Sequence, residues 1–530
     1  MIKRNKIVTL LVLPVLTGIL LAISAIPSKI WYVGFVAFIP LLTAADRAVS
    51  YRRPLLVFSL QLLITLLTFY LGMGFWVLKT ANPGFLIGLF LLLPFILLVS
   101  PYILFRRRGS SYASLYFIAA WLGAEFIQGY FPLGSPFFNL GHNPGSNPQL
   151  IQWYEYTGAA GGTLWIMCVN FLLFSFLKSL LNGRQQIVRK GIVSALVIVL
   201  PAVISLVIYH NYKEKGPVSE VVIVHPSTDN RDVKYRVNIY ELTDIYLKIL
   251  LPHLTDKTEY VVLPETAITN AGWVGDFNNN LVFNHLNEST AQYPDLKWVT
   301  GAIVYDSIPD VEKIKHYKRK PGIRFSEKYN AWYHTYNAAL FIEKSRPVQM
   351  RVKDGLVPYQ EYAPFPQFLP RISPVGIDFQ FSKREKNRKV FVASDRVQTA
   401  ALICYELVFG KLFSETVRDG AQAFFVLLNE GWYNNVRVSR QFLQLSVIRA
   451  IENRRSVAHS SNMGISAFIN QKGDVISRME SRAPGCLKAE IRMNKKASIS
   501  TMAGNYLGVS ALITIATLAV FELLRKNIKR

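Results

Sequence analysis

Cysteine is the scarcest informative residue in this chain. Three in 530 residues are too few for a disulfide framework. No His/Cys/Asp/Glu grouping has metal-ligand spacing, and there is no internal repeat or low-complexity segment. Acidic residues are also few, 34 Asp and Glu against 59 Lys and Arg, for a net charge of +25. Such an excess can serve phosphate backbones. Here many of the basic residues lie in short loops between apolar runs, so membrane topology explains them better than nucleic acid does. The basic stretch Lys313-Ile314-Lys315-His316-Tyr317-Lys318-Arg319-Lys320 suits either anionic lipid headgroups or a solvated loop.

What the chain has in abundance is apolar residues, 51% of the total, with a mean hydropathy of +0.24. They crowd residues 1–210 and the last 30, whereas 215–500 has the composition of an ordinary globular domain. A spanning helix needs about 20 mostly apolar residues. Eight candidates lie near 7–26, 30–45, 55–72, 86–105, 111–129, 157–177, 191–210 and 507–524. Basic residues mark alternate segments: Lys3, Arg4 and Lys6; Arg47, Arg52 and Arg53; Arg106, Arg107 and Arg108; Lys178, Arg184, Arg189 and Lys190; Arg525, Lys526, Lys529 and Arg530. Both termini are therefore expected in the cytoplasm. Seven spans place 215–500 outside, and the eighth returns the chain. The expected domains are 1–214 (transmembrane), 215–500 (extracytoplasmic) and 501–530 (final span and basic tail). The Gly-, Pro- and aromatic-rich loop 130–154 is expected to be re-entrant or to lie at the membrane surface. Glu125 is an intramembrane carboxylate, either functional or paired, or near enough the interface to be solvated.

Short β-branched runs at 220–224, 260–263, 298–304, 338–342, 399–403 and 423–428 alternate with helical stretches at 236–253 and 437–452, the pattern of a layered α/β domain. Three strand ends carry polar residues. One is Leu263-Pro264-Glu265-Thr266. Another is Lys353 to Tyr362, which joins a cation to Glu361 across a Gly/Pro stretch. The third is Ala401-Leu402-Ile403-Cys404-Tyr405-Glu406. Taken singly, these are ordinary turn carboxylates, a solvated loop and a buried structural cysteine. Cys168 lies in an apolar run and Cys486 near the domain's end, so only Cys404 has a neighbourhood suited to chemistry. His225 and His459 are expected to be structural.

Together the three strand ends change the reading. Glu, Lys and Cys in that order resemble the triad of the nitrilase, or carbon–nitrogen hydrolase, superfamily. The likeness extends through Asn429-Glu430-Gly431-Trp432-Tyr433, Arg449 to Arg454 and Ser461-Asn462-Met463-Gly464-Ile465-Ser466. With seven spans before the domain and one after, the chain resembles the apolipoprotein N-acyltransferase family. Tyr336-Asn337-Ala338-Ala339 and Ala124-Glu125-Phe126 are similar too. It departs from the family at Gln360, where Gly is common, around His225-Pro226-Ser227, and at Tyr235, where Trp is usual.

The resemblance implies an αββα sandwich and a ping-pong reaction. Cys404 would take an acyl group from a phospholipid as a thioester and pass it to the amine of a diacylglyceryl apolipoprotein. Glu265 would be the general base and Lys353 the oxyanion stabiliser. Glu361, Tyr405 and Glu406 would support them. It implies no cofactor or metal, a monomer, and a place in the inner membrane. Two rivals stand beside this reading: a membrane-anchored amidase with the same triad, and a transporter or scaffold with an inactive nitrilase-like domain.

Overall fold

In an extended strand successive side chains point to opposite faces. A sheet covered on both faces therefore reads as a continuous apolar run, and the runs at 220–224 and 423–428 are of that kind. The computed structural model describes residues 6–27, 29–74, 88–131, 134–183, 186–308, 323–358, 360–362, 381–382, 390–432, 435–480 and 483–528. The basic stretch Lys313–Lys320 lies outside the described residues, as do Tyr359 and Tyr433. The chain divides into two compact units, Met1–Tyr212 with Ala503–Arg530, and Lys213–Met502.

The second unit is built on the strands β1 (Val218–His225), β2 (Thr258–Val262), β3 (Lys297–Ser307), β4 (Ile323–Ser326), β5 (Ala331–Glu343), β6 (Gln349–Val352), β7 (Phe391–Val392), β8 (Gln398–Ile403), β9 (Phe424–Leu428), β10 (Val457–Ser461), β11 (Ser466–Ile469), β12 (Val475–Met479) and β13 (Gly485–Arg492). One sheet runs β13-β1-β2-β3-β5-β4, with β6 also paired to β5. The other runs β12-β11-β10-β9-β8-β7. The centres of both are parallel: β1 with β2 and β2 with β3, β8 with β9 and β9 with β10.

Side-chain parity sorts the layers. Val221, Ile223, Tyr260, Val262 and Phe341 of the first sheet share a core with Ala401, Ile403, Phe425, Leu427 and Phe468 of the second. Their sequence neighbours Val222, Val224, Val261 and Trp298 face the other way, onto the helices Ile239–Leu250 and Leu281–Ser289. Beyond the second sheet, Phe424 meets Phe413 of the helix Gly410–Arg418 at 4.9 Å between ring centroids. The helix Val436–Asn453 also packs there, with Ser446 bonded to His459 of β10 at 2.7 Å. The unit is an αββα sandwich. Asn side chains start three of its helices by accepting a first-turn N–H: Asn238 from Tyr240, Asn280 from Val282, and Asn435 from Arg437.

Among the described residues of the first unit five helices are long and apolar enough to cross a membrane: Pro54–Gly74, Phe90–Arg107, Ala159–Leu181, Ile187–Asn211 and Tyr506–Arg525. The other expected spans are shorter. Val8–Ser24 is an apolar helix of 17 residues, and Ala113–Gln128 has 16 residues. The segment expected at 30–45 divides into a tight turn, Trp31–Phe35, and the helix Ile39–Ala48, with Pro40 in its first turn. The described part of loop 130–154 winds into 3₁₀ turns, with Leu140 to Gly145 buried. Glu125 proves to be a paired group. It accepts from Trp121 Nε1 at 3.1 Å, the Leu140 amide at 2.8 Å and Thr163 Oγ1 at 2.6 Å, and so ties the loop to two helices.

Candidate active site

Strand ends are natural places for chemistry, because ladder bonding stops there while the sheet still fixes the backbone. Glu265 follows β2, Lys353 follows β6 at once, and Cys404 follows β8 at once. Parity aims Lys353 correctly. Met350 and Val352 of β6 face the helix side, so Arg351 and Lys353 face the second sheet. Asn337 faces the same way, opposite Lys353, whose amide donates to the Asn337 carbonyl at 2.8 Å.

All three expected triad residues meet in one buried cluster. Lys353 Nζ lies 3.0 Å from Glu265 Oε1 and 2.8 Å from Glu361 Oε1. The Glu265 carboxylate also acts on the Cys404 thiol and helps to raise its pKa. Asn337 Nδ2 donates to Glu265 Oε1 at 2.8 Å, and the Val357 amide donates to Glu361 Oε2 at 2.7 Å. Exposure falls to 1% at Lys353 and 6% at both Glu265 and Cys404, so water does little to screen these charges.

The backbone is bent to make this possible. Cys404 has φ +49° and Thr266, beside the other carboxylate, φ +48°, both in the left-handed region. Such residues cost about 1–3 kcal/mol each and persist where their surroundings dictate them. After Cys404 the chain turns into a short 3₁₀ segment, Cys404–Val408, which takes the thiol out of the strand ladder. At the other end, Gly301 allows the close approach of the Glu265 turn. A Cβ there would lie 2.5 Å from the Thr266 amide nitrogen and 2.6 Å from the Glu265 Cα.

Charge in this dry cluster is strongly biased. Burial pulls the Lys353 ammonium down, but Glu265 and Glu361 outweigh it and hold the pKa well above the ordinary lysine value. The Cys404 thiol is pushed well above its ordinary range, first by burial and then by the Glu265 carboxylate, with Lys353 opposing. Burial also raises Glu361, against the pull of Lys353. The resting state is thus a neutral thiol with a permanent cation beside it.

The supporting residues are placed as follows. Glu406 is fully buried and bound bidentately by Arg351, at 2.7 and 2.9 Å. Tyr405 packs edge-on against Phe409 at 5.4 Å. Tyr235 bonds Thr266 Oγ1 at 3.0 Å and stacks on the exposed Trp432 at 6.0 Å. His225 and His459 are fully buried, each with Nδ1 bonded to a serine, Ser466 at 2.9 Å and Ser446 at 2.7 Å.

Sequence reasoning missed three contributors. Asn337 was visible only as part of a similar stretch. Arg351 could have been found from parity, two residues before Lys353 on one face. Lys234 carried no signal. It is fully buried, its Nζ donates to the Glu265 backbone carbonyl at 2.8 Å, and burial draws its pKa down to about 7 against the opposing pull of Glu265.

Residues 17–172 match the apolipoprotein N-acyltransferase N-terminal domain, and residues 249–499 match the carbon–nitrogen hydrolase domain. The chain belongs to the apolipoprotein N-acyltransferase family. Apolipoprotein N-acyltransferase of Chlorobaculum tepidum is 25% identical over 541 residues, 97% of each chain. That of Geobacter metallireducens is 24% identical over 531 residues, 97% of this chain and 95% of the other. Among solved structures, Nit3 of Saccharomyces cerevisiae, a nitrilase-superfamily member, is similar over 54% of this chain and 93% of its own, at 16% identity and a TM-score of 0.36. With its five apolar helices, this is a membrane acyltransferase.

Elsewhere in this acyltransferase, Glu430 is a buried carboxylate raised to about 7 by burial, although Ser461 donates to it at 2.6 Å. A carboxyl whose folded pKa lies above its unfolded value favours the folded state at low pH. That contribution is lost as pH rises through the folded value. Glu430→Gln should therefore raise the unfolding free energy by up to about 3 kcal/mol at pH 8 and by little at pH 5. Denaturant midpoints of the two proteins at both pH values check this.

Proposed function

We propose that this protein transfers a fatty acyl group from a membrane phospholipid, through a Cys404 thioester, to the N-terminal amine of a diacylglyceryl-cysteine apolipoprotein. The observation that carries the reading is Lys353 Nζ held between Glu265 and Glu361 at 3.0 and 2.8 Å, in the buried cluster where β8 delivers Cys404.

Cys404 Sγ attacks the ester carbonyl carbon while Glu265 takes the thiol proton. The oxyanion forms beside the Lys353 ammonium and the Tyr405 amide. Collapse breaks the ester C–O bond. Glu265 returns its proton to the departing oxygen, so lysophospholipid leaves and the thioester remains. The acceptor amine then attacks the thioester carbonyl and Glu265 takes the amine's proton; as the C–S bond breaks, Glu265 passes that proton to sulfur, which regenerates the thiol and the base. Glu361 keeps Lys353 charged and in place. The high resting pKa of Cys404 suits this cycle, because an unloaded site does not hold a reactive thiolate.

The membrane arrangement completes the proposal. Eight spans, seven before the catalytic domain and one after, leave both termini in the cytoplasm and the domain on the far side of the inner membrane. The boundaries are 1–214, 215–500 and 501–530. The working unit is a monomer.

Reconstituted in vesicles with acyl-labelled phospholipid and a diacylglyceryl-cysteine peptide, the protein should form lysophospholipid and N-acylated peptide in equal amounts. Ammonia release from small amides with no lysophospholipid would overturn the reading. In the same assay Glu265→Gln should lower kcat by about 10²–10⁴, the usual worth of a general base. Undiminished turnover by that variant would remove Glu265 from its role.

A further inference from the structure

Lys353 and Cys404 belong to different sheets: β6, which leads into Lys353, pairs with β5, while β8, which delivers Cys404, pairs with β7 and β9. No strand ladder joins β6 to β8, so the spacing of cation and nucleophile needs another rule. The Arg351–Glu406 pair supplies it. The guanidinium stands on the first sheet beside Lys353, and the carboxylate stands on the elbow of the second. Nη1 meets Oε2 at 2.7 Å and Nη2 meets Oε1 at 2.9 Å, with the two side chains 2% and 0% exposed.

Glu406 does more than neutralise Arg351. Its Oε2 also accepts the amide of Ile403, the residue before the nucleophile, at 2.7 Å. Its Oε1 accepts the amides of Asp354 at 2.7 Å and Gly355 at 3.3 Å, the two residues after Lys353. One carboxylate thus holds the backbone on both sides of the site. Arg351 fixes that carboxylate in orientation, because a planar fork presents both N–H groups at once where an ammonium presents a point charge. Burial tends to favour the neutral carboxyl, but Arg351 and the backbone amides outweigh it and hold Glu406 below the ordinary carboxylate range. It therefore stays ionised and keeps accepting.

A buried ion pair is a poor device for stability alone, since well-packed apolar residues often replace it without loss. Its better-attested use is to specify one geometry. Resting on the assignment of Cys404 as nucleophile, we propose that Arg351 is a positioning residue for acyl transfer. Through Glu406 it sets the spacing between the Lys353 ammonium and the Cys404 elbow. It touches neither substrate nor reacting atoms.

The test uses the full-length protein in phospholipid vesicles with the labelled donor and the diacylglyceryl-cysteine peptide. Arg351→Met should lower kcat by about 100-fold, the scale of a misplacement near 1 Å. KM for the peptide should stay within about threefold, because uniform binding is untouched. The thermal midpoint should fall, because Glu406 is left buried without its partner, but the rate loss should persist well below that midpoint. Arg351→Lys, which keeps charge but not the fork, should recover part of the rate. Arg351→Met with Glu406→Leu gives an apolar pair that leaves no buried charge unpaired. It should be no slower than the worse single variant, as residues acting as one unit are not additive. If Arg351→Met does not fold, the lysine variant and the double variant carry the comparison.

Parental kcat in Arg351→Met or in the double variant overturns the proposal. So does a rate loss that tracks a lowered thermal midpoint and vanishes on cooling, which would make Arg351 a fold element only. Failure of the nucleophile assignment reads differently: the parent protein would transfer acyl groups while mass spectrometry found no acyl-Cys404 peptide.

Discussion

Cys404→Ala should stop acyl transfer, with kcat falling by on the order of 10⁶, the scale seen when the nucleophile of a covalent mechanism is removed. The protein should still insert in membranes and fold. The change removes one sulfur from a small buried side chain, and a loss of this size is usually within about 1–2 kcal/mol. Two measurements separate chemistry from folding. The first is turnover with acyl-labelled phospholipid and peptide acceptor. The second is mass spectrometry of the Cys404 peptide after exposure to phospholipid alone, where the parent should carry one acyl group and the variant none. Parental turnover in the alanine variant would sink the assignment. Cys404→Ser should also fail, because its hydroxyl sits in the same dry setting that already pushes the thiol well above its usual range.

Removing the cation should be nearly as damaging, for two separable reasons. Lys353→Met takes away the group that faces the oxyanion, which is worth about 10²–10³ in kcat for a single preorganised donor. It also strands Glu265 and Glu361, which now share one ammonium at 3.0 and 2.8 Å. Breaking a buried pair by deleting one partner costs about 3–5 kcal/mol. The two effects respond differently to pH. With the lysine gone, two neighbouring carboxylates cannot both stay ionised, so the pair binds a proton at higher pH than in the unfolded chain. A raised folded pKa contributes stability below the unfolded value and loses it as pH rises. The stability gap between variant and parent should therefore narrow from pH 8 to pH 5, while the catalytic defect persists. A gap independent of pH would mean that the carboxylates are not paired through Lys353.

The sheet layers were legible because burial on both faces leaves a simple mark. Runs such as Val221–Val224 and Ala423–Leu428 are apolar at consecutive positions, and they lie in β1 and β9 of the αββα sandwich. The helix expected at 437–452 is Val436–Asn453. The strands β10 to β13 were not foreseen. β10, β11 and β13 contain His459, Ser466 and Lys488 among their residues, and neighbours in space rather than their own composition make them strands. In the membrane unit, apolar length was read correctly where a helix runs unbroken, as at Ile187–Asn211. At 30–45 it did not reveal that the apolar run is divided between a 3₁₀ turn and a short helix.

By itself the sequence determined that Glu265, Lys353 and Cys404 end three strands, in an order and company that resemble one enzyme family. Strand-end position is local, and it survives in the pattern of apolar runs. It could not determine that these three ends meet, since they are separated by 88 and 51 positions and lie on two sheets. The tertiary structure decided that, and with it the raised pKa values of Lys353 and Cys404. Only packing reveals that Arg351 spans the sheets to Glu406, that Asn337 bonds Glu265, and that Lys234 is buried against the Glu265 carbonyl. The physical reason is that hydrogen bonds and desolvation depend on distance in space, and a sequence records only distance along the chain.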